Sequence, residues 1–509
     1  MMSAREAFQY GFCCFLSVLT YAQVPQLDGR TQEVKEVRVG TGNQEALAQL
    51  LLQCSAGKVE QVSKANAYYE LRSFIDNQQL ELVEAYYILN QASYGPASAK
   101  LKTGRLALVP RNKRYFASQA TATALVGFQL TDPNNGFAYS PFNVGKRPQK
   151  YFRFWLADTV QAAAQDTLLE IRFAPRKNDG KSFSGTAWVN PTTKFVSQLD
   201  LQCKHCQQHP FLPIFHVDSI KNFDLQLLCA FQNSALGPVL SQIQANYAVH
   251  YSSRMHQTDT VDCILRTEAK LKVYDASINF TEPYFVFEEG VSEYRQILAY
   301  PYASVFWQSN PEPWPVMAVQ QRNQFFYEQA TLRNQLLEDG QIAAYRFFEH
   351  PFIQWSENRV LIREALPQSV DARPPNGDVS SLYKLKVQLF TDLIPTTDSL
   401  VLLSTCVIDP YATFYHLPVD KYVNCFINMY FDLCEIKRRN FEAKCRGEKL
   451  NLASIQGHYN ETQTELELLL NEFLTQVDRG QNRKAMLKWN TFIVERLGID
   501  NVALFSLYE

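Results

Sequence analysis

Excess charge of one sign, long apolar runs, dense cysteine and the common catalytic signatures are all missing from this chain. Its 49 basic and 51 acidic side chains leave a formal net charge of −2. Nucleic-acid binders carry a basic patch or a high domain pI, so that class is excluded as a partner. Past the N-terminal region no segment reaches the about 20 apolar residues that a membrane helix needs, and the chain ends in charged helical sequence rather than in the serial aromatic-ended strands of a barrel. The mature chain is expected to have no transmembrane span. No phosphate-binding glycine loop, no GxSxG elbow and no HExxH pair occurs, so three common enzyme signatures are absent and no cofactor is implied.

What is present starts with an address. "MMSAREAFQYGFCCFLSVLTYAQVPQLDG" has Arg5, an apolar run from Gly11 to Leu19, and the small residue Ala22 before Gln23. That pattern predicts an export signal over residues 1–22, with the run too short to cross a bilayer. Cys13 and Cys14 lie inside the run without a lipobox, so a free exported chain in the periplasm or cell envelope is expected rather than a lipoprotein. Of eleven cysteines, nine remain after that segment, an odd number at no repeating spacing. This is no disulfide scaffold.

With 509 residues, of which 46% are hydrophobic and 13% aromatic, the chain exceeds the roughly 250 to 300 residues at which single cores stop growing, and two or three domains are expected. "NQEALAQLLLQC" places Leu47, Leu50, Leu51 and Cys54 at i, i+3, i+4 and i+7, which predicts one amphipathic helix with Asn43 as its N-cap. The period then drops to two in "YYELRSFI", "LVEAYYIL", "KLKTGRLAL", "TLLEIRFAP", "SFSGTAWVN", "KFVSQLDLQ", "NFDLQLLCAF" and "IQANYAVHY". Phe223, Leu225, Leu227, Cys229 and Phe231 oppose Asp224 and Gln226, and Ile243, Ala245, Tyr247, Val249 and Tyr251 oppose Gln244, Asn246 and His250. The alternation predicts successive antiparallel hairpins with one buried and one wet face.

These patterns divide the chain into a β block with its N-terminal helix over 23–260, an aromatic-rich mixed or β region over 261–366, a linker over 367–381 and a last block over 382–509. "PQSVDARPPNGDVSS" has linker composition. In the last block one strand, "LYKLKVQLF", precedes three helices, at about 420–444, 452–479 and 483–497, with Gly480 and Gly498 as their closing glycines.

The run "LLEIRFAPRKNDGKSFSGTAWVNPTTKFVSQLDLQ" resembles the strand-turn-strand signature of a secreted Bacteroidota envelope family of unknown function, whose members often carry a carboxypeptidase-regulatory-like domain. "FTEPYFVFEEGVSEYRQILAYPYASVFWQSN" and "YVNCFINMYFDLCEIKRRNFEAK" are similar in style to related envelope proteins, and together the stretches cover about a third of the chain. The regulatory-like domain itself is missing here, so the label carries no peptidase activity. The resemblance implies an α+β fold: a curved antiparallel β half-barrel, lipoprotein-carrier-like, with a packed helix, followed by the aromatic-rich region and a C-terminal helical bundle. Such half-barrels hold acyl chains or peptide tails, so a lipid, lipoprotein or peptide ligand is the expected partner, with an envelope protein docking on the C-terminal helices. Tripeptides beginning at Asp158, Asp166, Asp218, Asp259 and Asp398 match the O-glycosylation pattern of the same phylum.

Three clusters are candidate sites. In "CKHCQQHPFLPIFH", Cys203, Cys206, His209 and His216 are of the types that bind tetrahedral zinc, but their spacing is irregular and a second cysteine pair is absent. Both cysteines close an alternating strand instead of opening a helix, which argues against a thioredoxin-type pair, and Gln207 after Cys206 excludes haem attachment. A structural loop, its cysteines open to mutual oxidation in an exported protein, is the expectation, with no metal. The aromatics around Tyr284, Phe285, Phe287, Tyr300, Trp307 and Trp314 lie among Glu282, Glu288, Glu289 and Glu293. Flat rings beside carboxylates suit a ligand platform, for which Tyr284, Phe287, Glu288, Glu289 and Trp307 are the named candidates, and a glutamate pair there is the basis of an alternative, hydrolytic reading on glycans or peptides. Asn424, Asn428, Asp432 and Glu435 draw a polar stripe along an apolar helix, expected as a solvated face or as local pairs such as Glu435 with Arg439. No catalytic residue is assigned.

Overall fold

Apolar residues at every second position build the main sheet. The structure, a computed structural model, describes residues 44–55, 63–109, 120–161, 167–211, 218–234, 237–256, 259–274, 280–287, 291, 293–310, 324, 352–360, 383–396, 399–409, 412–415, 417–446 and 451–508. The expected helix is α1 (Gln44–Ser55), and it buries Leu47, Ala48, Leu51 and Cys54. Ten strands follow: β1 (Ser63–Ile75), β2 (Gln78–Ala92), β3 (Gly95–Leu108), β4 (Phe152–Gln161), β5 (Thr167–Pro175), β6 (Ser184–Asn190), β7 (Phe195–Cys203), β8 (Ser219–Ser234), β9 (Gly237–His256) and β10 (Asp259–Tyr274). They form one open sheet in the order β3-β2-β1-β10-β9-β8-β7-β6-β5-β4. Every neighbouring pair is antiparallel.

The fold is therefore the α+β half-barrel that the resemblance implies, built from the antiparallel hairpins that the alternation predicts. One long step, from β1 to β10, brings the two ends of the block together in the middle of the sheet. β10 runs across position 260, where the sequence pattern sets the end of this block. The segment expected as a linker, 367–381, lies outside the described residues.

On the inner face, β8 contributes Phe223, Leu225, Leu227, Cys229 and Phe231, and β9 contributes Ile243, Ala245, Tyr247, Val249 and Tyr251, all buried in one core. The same core takes in α1, the short α2 (Thr121–Val126), Phe128, Phe137 and Phe142 from the segment after it, and Tyr294 and Ile297 of α3 (Glu293–Ala299). The half-barrel is thus filled by the chain's own helices and loops. Gly104 of β3 has a packing reason: a methyl group there would sit 2.9 Å from Cγ1 of Ile297. The outer face of β7 to β9 stays wet, and its polar side chains Gln202, Asp224, Gln226, Gln244 and Asn246 line an open groove of about 570 Å³.

The β1–β3 edge behaves differently. Ten consecutive residues of β2, Leu80–Leu89, are buried on both faces. The outer face there is covered by Phe280, by Phe306 and Trp307 of α4 (Ser304–Ser309), and by Ile394, which pack on Tyr68, Tyr86 and Ile88. Ile394 belongs to a second, small sheet. Its strands are β11 (Ile353–Gln354), β13 (Val387–Pro395) and β14 (Leu400–Ile408), and a separate pair joins β12 (Tyr383–Lys384) to β15 (Phe414–Tyr415). The helices α5 (Lys421–Arg446), α6 (Leu452–Val477) and α7 (Arg483–Leu497) follow, with a short α8 (Asn501–Leu504). Their ends match the sequence signals to within a few residues. Asn451 and Asn482 cap α6 and α7 through their side chains, and Gly498 takes the left-handed conformation after α7.

One ion pair joins the two sheets. Lys102, at a bulge where β3 passes β2, is fully buried, and its ammonium donates to Asp392 Oδ1 of β13 at 2.5 Å, to the carbonyls of Thr281 and Leu393 at 2.9 Å, and more loosely to Thr281 Oγ1. Phe306 lies 5.7 Å from the same nitrogen. Burial pushes the lysine down and the aspartate up from their ordinary ranges, each opposed by the partner's charge. Removing one partner strands the other charge, at about 3–5 kcal/mol, whereas removing both costs far less. Urea melts should therefore show Lys102→Met losing about that much, and Lys102→Met with Asp392→Leu recovering most of it; equal losses in the two proteins would show that the pair is incidental.

Candidate functional site

Among the described residues, a polar patch of the inner core lies where β1 and β2 meet α2 and α3. Glu81 of β2 is fully buried; it accepts from Ser73 Oγ at 2.8 Å and from the hydroxyl of Tyr294 in α3. Ser73 is also 3.1 Å from Thr267 of β10. Glu293, one residue before Tyr294, accepts from the Tyr87 hydroxyl at 3.4 Å through Oε1, while its Oε2 is buried with no partner among the described residues. Tyr69 packs edge-on against Tyr87 at 6.2 Å, is fully buried, and its hydroxyl likewise has no partner there.

The electrostatics follow from two carboxyl groups sharing a dry space. Burial, and then the charge of Glu81, push the Glu293 carboxyl up to about 8, against hydrogen bonds from the backbone of Thr123 and Ala122 and from Tyr87. Burial raises Tyr69, Tyr87 and Tyr294 well above the usual phenol range, with Glu293 adding to each and Glu81 ahead of it at Tyr294. At neutral pH the patch therefore carries a protonated Glu293 able to donate a hydrogen bond. Together with the free Tyr69 hydroxyl it offers two hydrogen-bonding groups to anything that enters from the apolar core.

The sequence-predicted residues fall in several places. Tyr284 is half-buried, bridges to Thr391 of β13 and stacks on Tyr459 of α6 at 4.8 Å. Phe287 packs on Phe285, Tyr300 and Phe352 in the inner core. Trp307 lies on the outer face of the β1–β3 edge, against Tyr86, with the Arg105 guanidinium 4.3 Å over its ring. The structure does not bring Tyr284, Phe287 and Trp307 onto one surface. Glu288, Glu289 and Trp314 lie outside the described residues. Glu282 pairs with Lys100 at the surface at 2.6 Å, so of that acidic stretch Glu293 enters the core patch and Glu282 does not.

In the cysteine loop, His209 stacks on Phe223 at 4.1 Å and His205 Nδ1 meets Asn222 at 2.8 Å, while His216 lies outside the described residues. Cys203 and Cys206 are both buried, and the hydrogen bond between them raises the first thiol and lowers the second. Among the described residues no group of three or more His, Cys, Asp or Glu is placed to hold a metal ion. The polar stripe of α5 is not a solvated face. Asn428 bonds both backbone groups of Val360 at 2.9 Å, and Asp432 takes Trp355 Nε1 at 2.8 Å, Arg359 at 2.9 and 3.0 Å and Asn501 at 2.7 Å. Glu435 pairs with Arg438 as well as with the expected Arg439, at 2.8 Å. The stripe clamps the 355–360 segment onto the helix.

No family model and no curated protein matches this chain. Solved structures do: a DUF1329 family protein from Desulfovibrio piger, 10% identical, spans 46% of this chain and 94% of its own length with a TM-score of 0.18. A putative outer membrane lipoprotein-sorting protein domain from Vibrio parahaemolyticus, 11% identical, spans 49% and 96% with a TM-score of 0.21. A LolA superfamily protein from Nitrosomonas europaea, 11% identical, spans 45% and 94% with a TM-score of 0.17.

Glu293 makes stability depend on pH in a fixed direction. Its folded pKa is raised, so its favourable contribution is complete below the unfolded value of 4.5 and is lost as pH rises through about 8. Glu293→Gln keeps a neutral, hydrogen-bonding group. Relative to the parent it should gain roughly 3 kcal/mol between pH 5 and pH 9. Parallel stability curves for the two proteins across that range in chemical denaturation would place the carboxyl in water.

Proposed function

We propose that this chain is an exported cell-envelope binding protein whose half-barrel holds an amphipathic ligand, such as a lipid or an acylated peptide tail, between the inner sheet face and the short helices α2 and α3. The observation that carries the reading is two buried atoms with no hydrogen-bond partner among the described residues, the Tyr69 hydroxyl and Glu293 Oε2, in a polar patch of the largely apolar inner core. An unpaired buried hydroxyl costs about 1–3 kcal/mol, so a structure that keeps one gains by filling it. A ligand with a hydrogen-bonding head would do so while its tail displaced apolar contacts of the cover. The N-terminal export pattern supplies the compartment.

Hydrolysis is the weaker reading. Of the glutamates that it would use, Glu282 is tied to Lys100 at the surface, Glu293 is held in the core patch beside the charge of Glu81, and Glu288 and Glu289 lie outside the described residues. A carboxylate pair that works on a glycosidic bond must flank an accessible substrate.

Native mass spectrometry of protein purified from its own envelope tests the proposal. An adduct of lipid mass should accompany the parent and be lost, or fall several-fold, in Tyr69→Phe. With no ligand in the cell, Tyr69→Phe simply removes an unsatisfied hydroxyl and should match or exceed the parent's melting temperature with no adduct in either protein. That second outcome ends the binding reading.

A further inference from the structure

Away from the inner core, one pair of thiols is closer than packing alone requires. Cys406 lies on β14 and Cys434 on α5, both fully buried, with their sulfur atoms 2.9 Å apart. Leu389, Leu393, Ile408 and Phe431 share their core. Burial, then contact with Cys434, raises the Cys406 thiol well above its usual range. As two free thiols the pair gains little, since each is a weak donor and a weak acceptor. Sulfur atoms brought this close from a strand and a facing helix are placed for a covalent bridge.

We propose that Cys406 and Cys434 form a disulfide in the mature protein, made as the C-terminal part folds, with a disulfide-bearing oxidant as the electron acceptor. One cysteine thiolate attacks a sulfur of the oxidant, giving a mixed disulfide and one free oxidant thiol. The second cysteine then attacks the protein sulfur of that mixed disulfide, closing the Cys406–Cys434 bond and releasing the other oxidant thiol. Two protein thiols are oxidised, one oxidant disulfide is reduced, and both protons leave with its thiols. An exported chain meets such oxidants, whereas a cytosolic one does not.

The burial sets the order of events. Neither sulfur is reachable in the folded state, so the exchange precedes final packing and the finished bond is shielded from reductants. The bond would tie the β13–β14 hairpin to α5 across the turn region that separates them. Asp392 sits on the same hairpin, so the covalent tie also steadies the partner of Lys102. Cys425, buried on the same helix with its sulfur 3.7 Å from that of Met429, provides the control.

Full-length protein refolded with oxidised glutathione, then alkylated under denaturing conditions and digested, should yield one peptide linking the segments of Cys406 and Cys434. The same protein held folded in dithiothreitol should keep that link until denaturant is added. Cys406→Ala with Cys434→Ala should lower the melting temperature by at least about 5 °C more than Cys425→Ala, and most of this excess should disappear when the proteins are refolded under reducing conditions, leaving only the cost of the second cavity. Alkylation of both cysteines in the oxidatively refolded protein, or linkage of either to another cysteine, overturns the proposal. So does an excess of undiminished size under reducing conditions, because that would be a cavity effect alone.

Discussion

The Lys102–Asp392 pair constrains where everything after the half-barrel can sit. A lysine placed at a strand bulge in a sheet buried on both sides has few alternatives, because its ammonium must find an anion and further acceptors before it can leave water. β13 supplies Asp392 and the Leu393 carbonyl, and Thr281 supplies the rest. Such a pair adds little net stability over apolar residues of the same shape, yet a displaced register of β13 would leave both charges stranded. Its effect is positional. The hairpin docks in one place, and Phe280, Phe306, Trp307 and Ile394 close over Tyr68 and Tyr86 around it.

That docking explains which parts of the fold were legible in the sequence. Strands β5 to β9 have one wet face, so their alternation shows directly in residues such as Phe223 to Phe231. The period of two in "YYELRSFI" and "LVEAYYIL" predicts one wet face for β1 and β2 as well, yet neighbours such as Tyr68 and Tyr69 or Tyr86 and Tyr87 are all buried, because both faces of these strands are covered. No local pattern announces that second cover, whose residues arrive from far along the chain, Phe280 and beyond. β10 was hidden for a related reason. Its own alternation of Leu265, Thr267, Ala269 and Leu271 is clear enough, but the aromatic and proline-rich composition just beyond it suggested a new block near residue 261. The pairing of β10 with β1 is a contact between chain ends, which hydrophobic period does not encode.

The candidate site was legible only by halves. Glu293 stood among the acidic residues around Tyr284, yet nothing in the sequence set it apart from Glu282, which ended at the surface. Glu81 sits in a strand where a charged residue reads as outward-facing. A one-residue irregularity between Ser73 and Phe74 in the β1–β2 ladder accompanies its position facing Ser73 and Thr267. The stripe on α5 is the mirror case. Its spacing was visible, but its burial depends on residues 355–360 folding back to meet Asn428 and Asp432.

Placing two carboxyl groups beneath short helices has a further physical consequence. α2 and α3 are six and seven residues long, below the length at which a helix holds itself together in water, so both exist by virtue of what they pack against. At that boundary the packing includes Tyr294 on Glu81 and the backbone of α2 on Glu293, and a polar interface in an apolar core weakens steeply when one of its members ionises. The closure of the half-barrel over the Tyr69 hydroxyl and Glu293 Oε2 therefore depends on two helices that are too short to hold themselves together undocked.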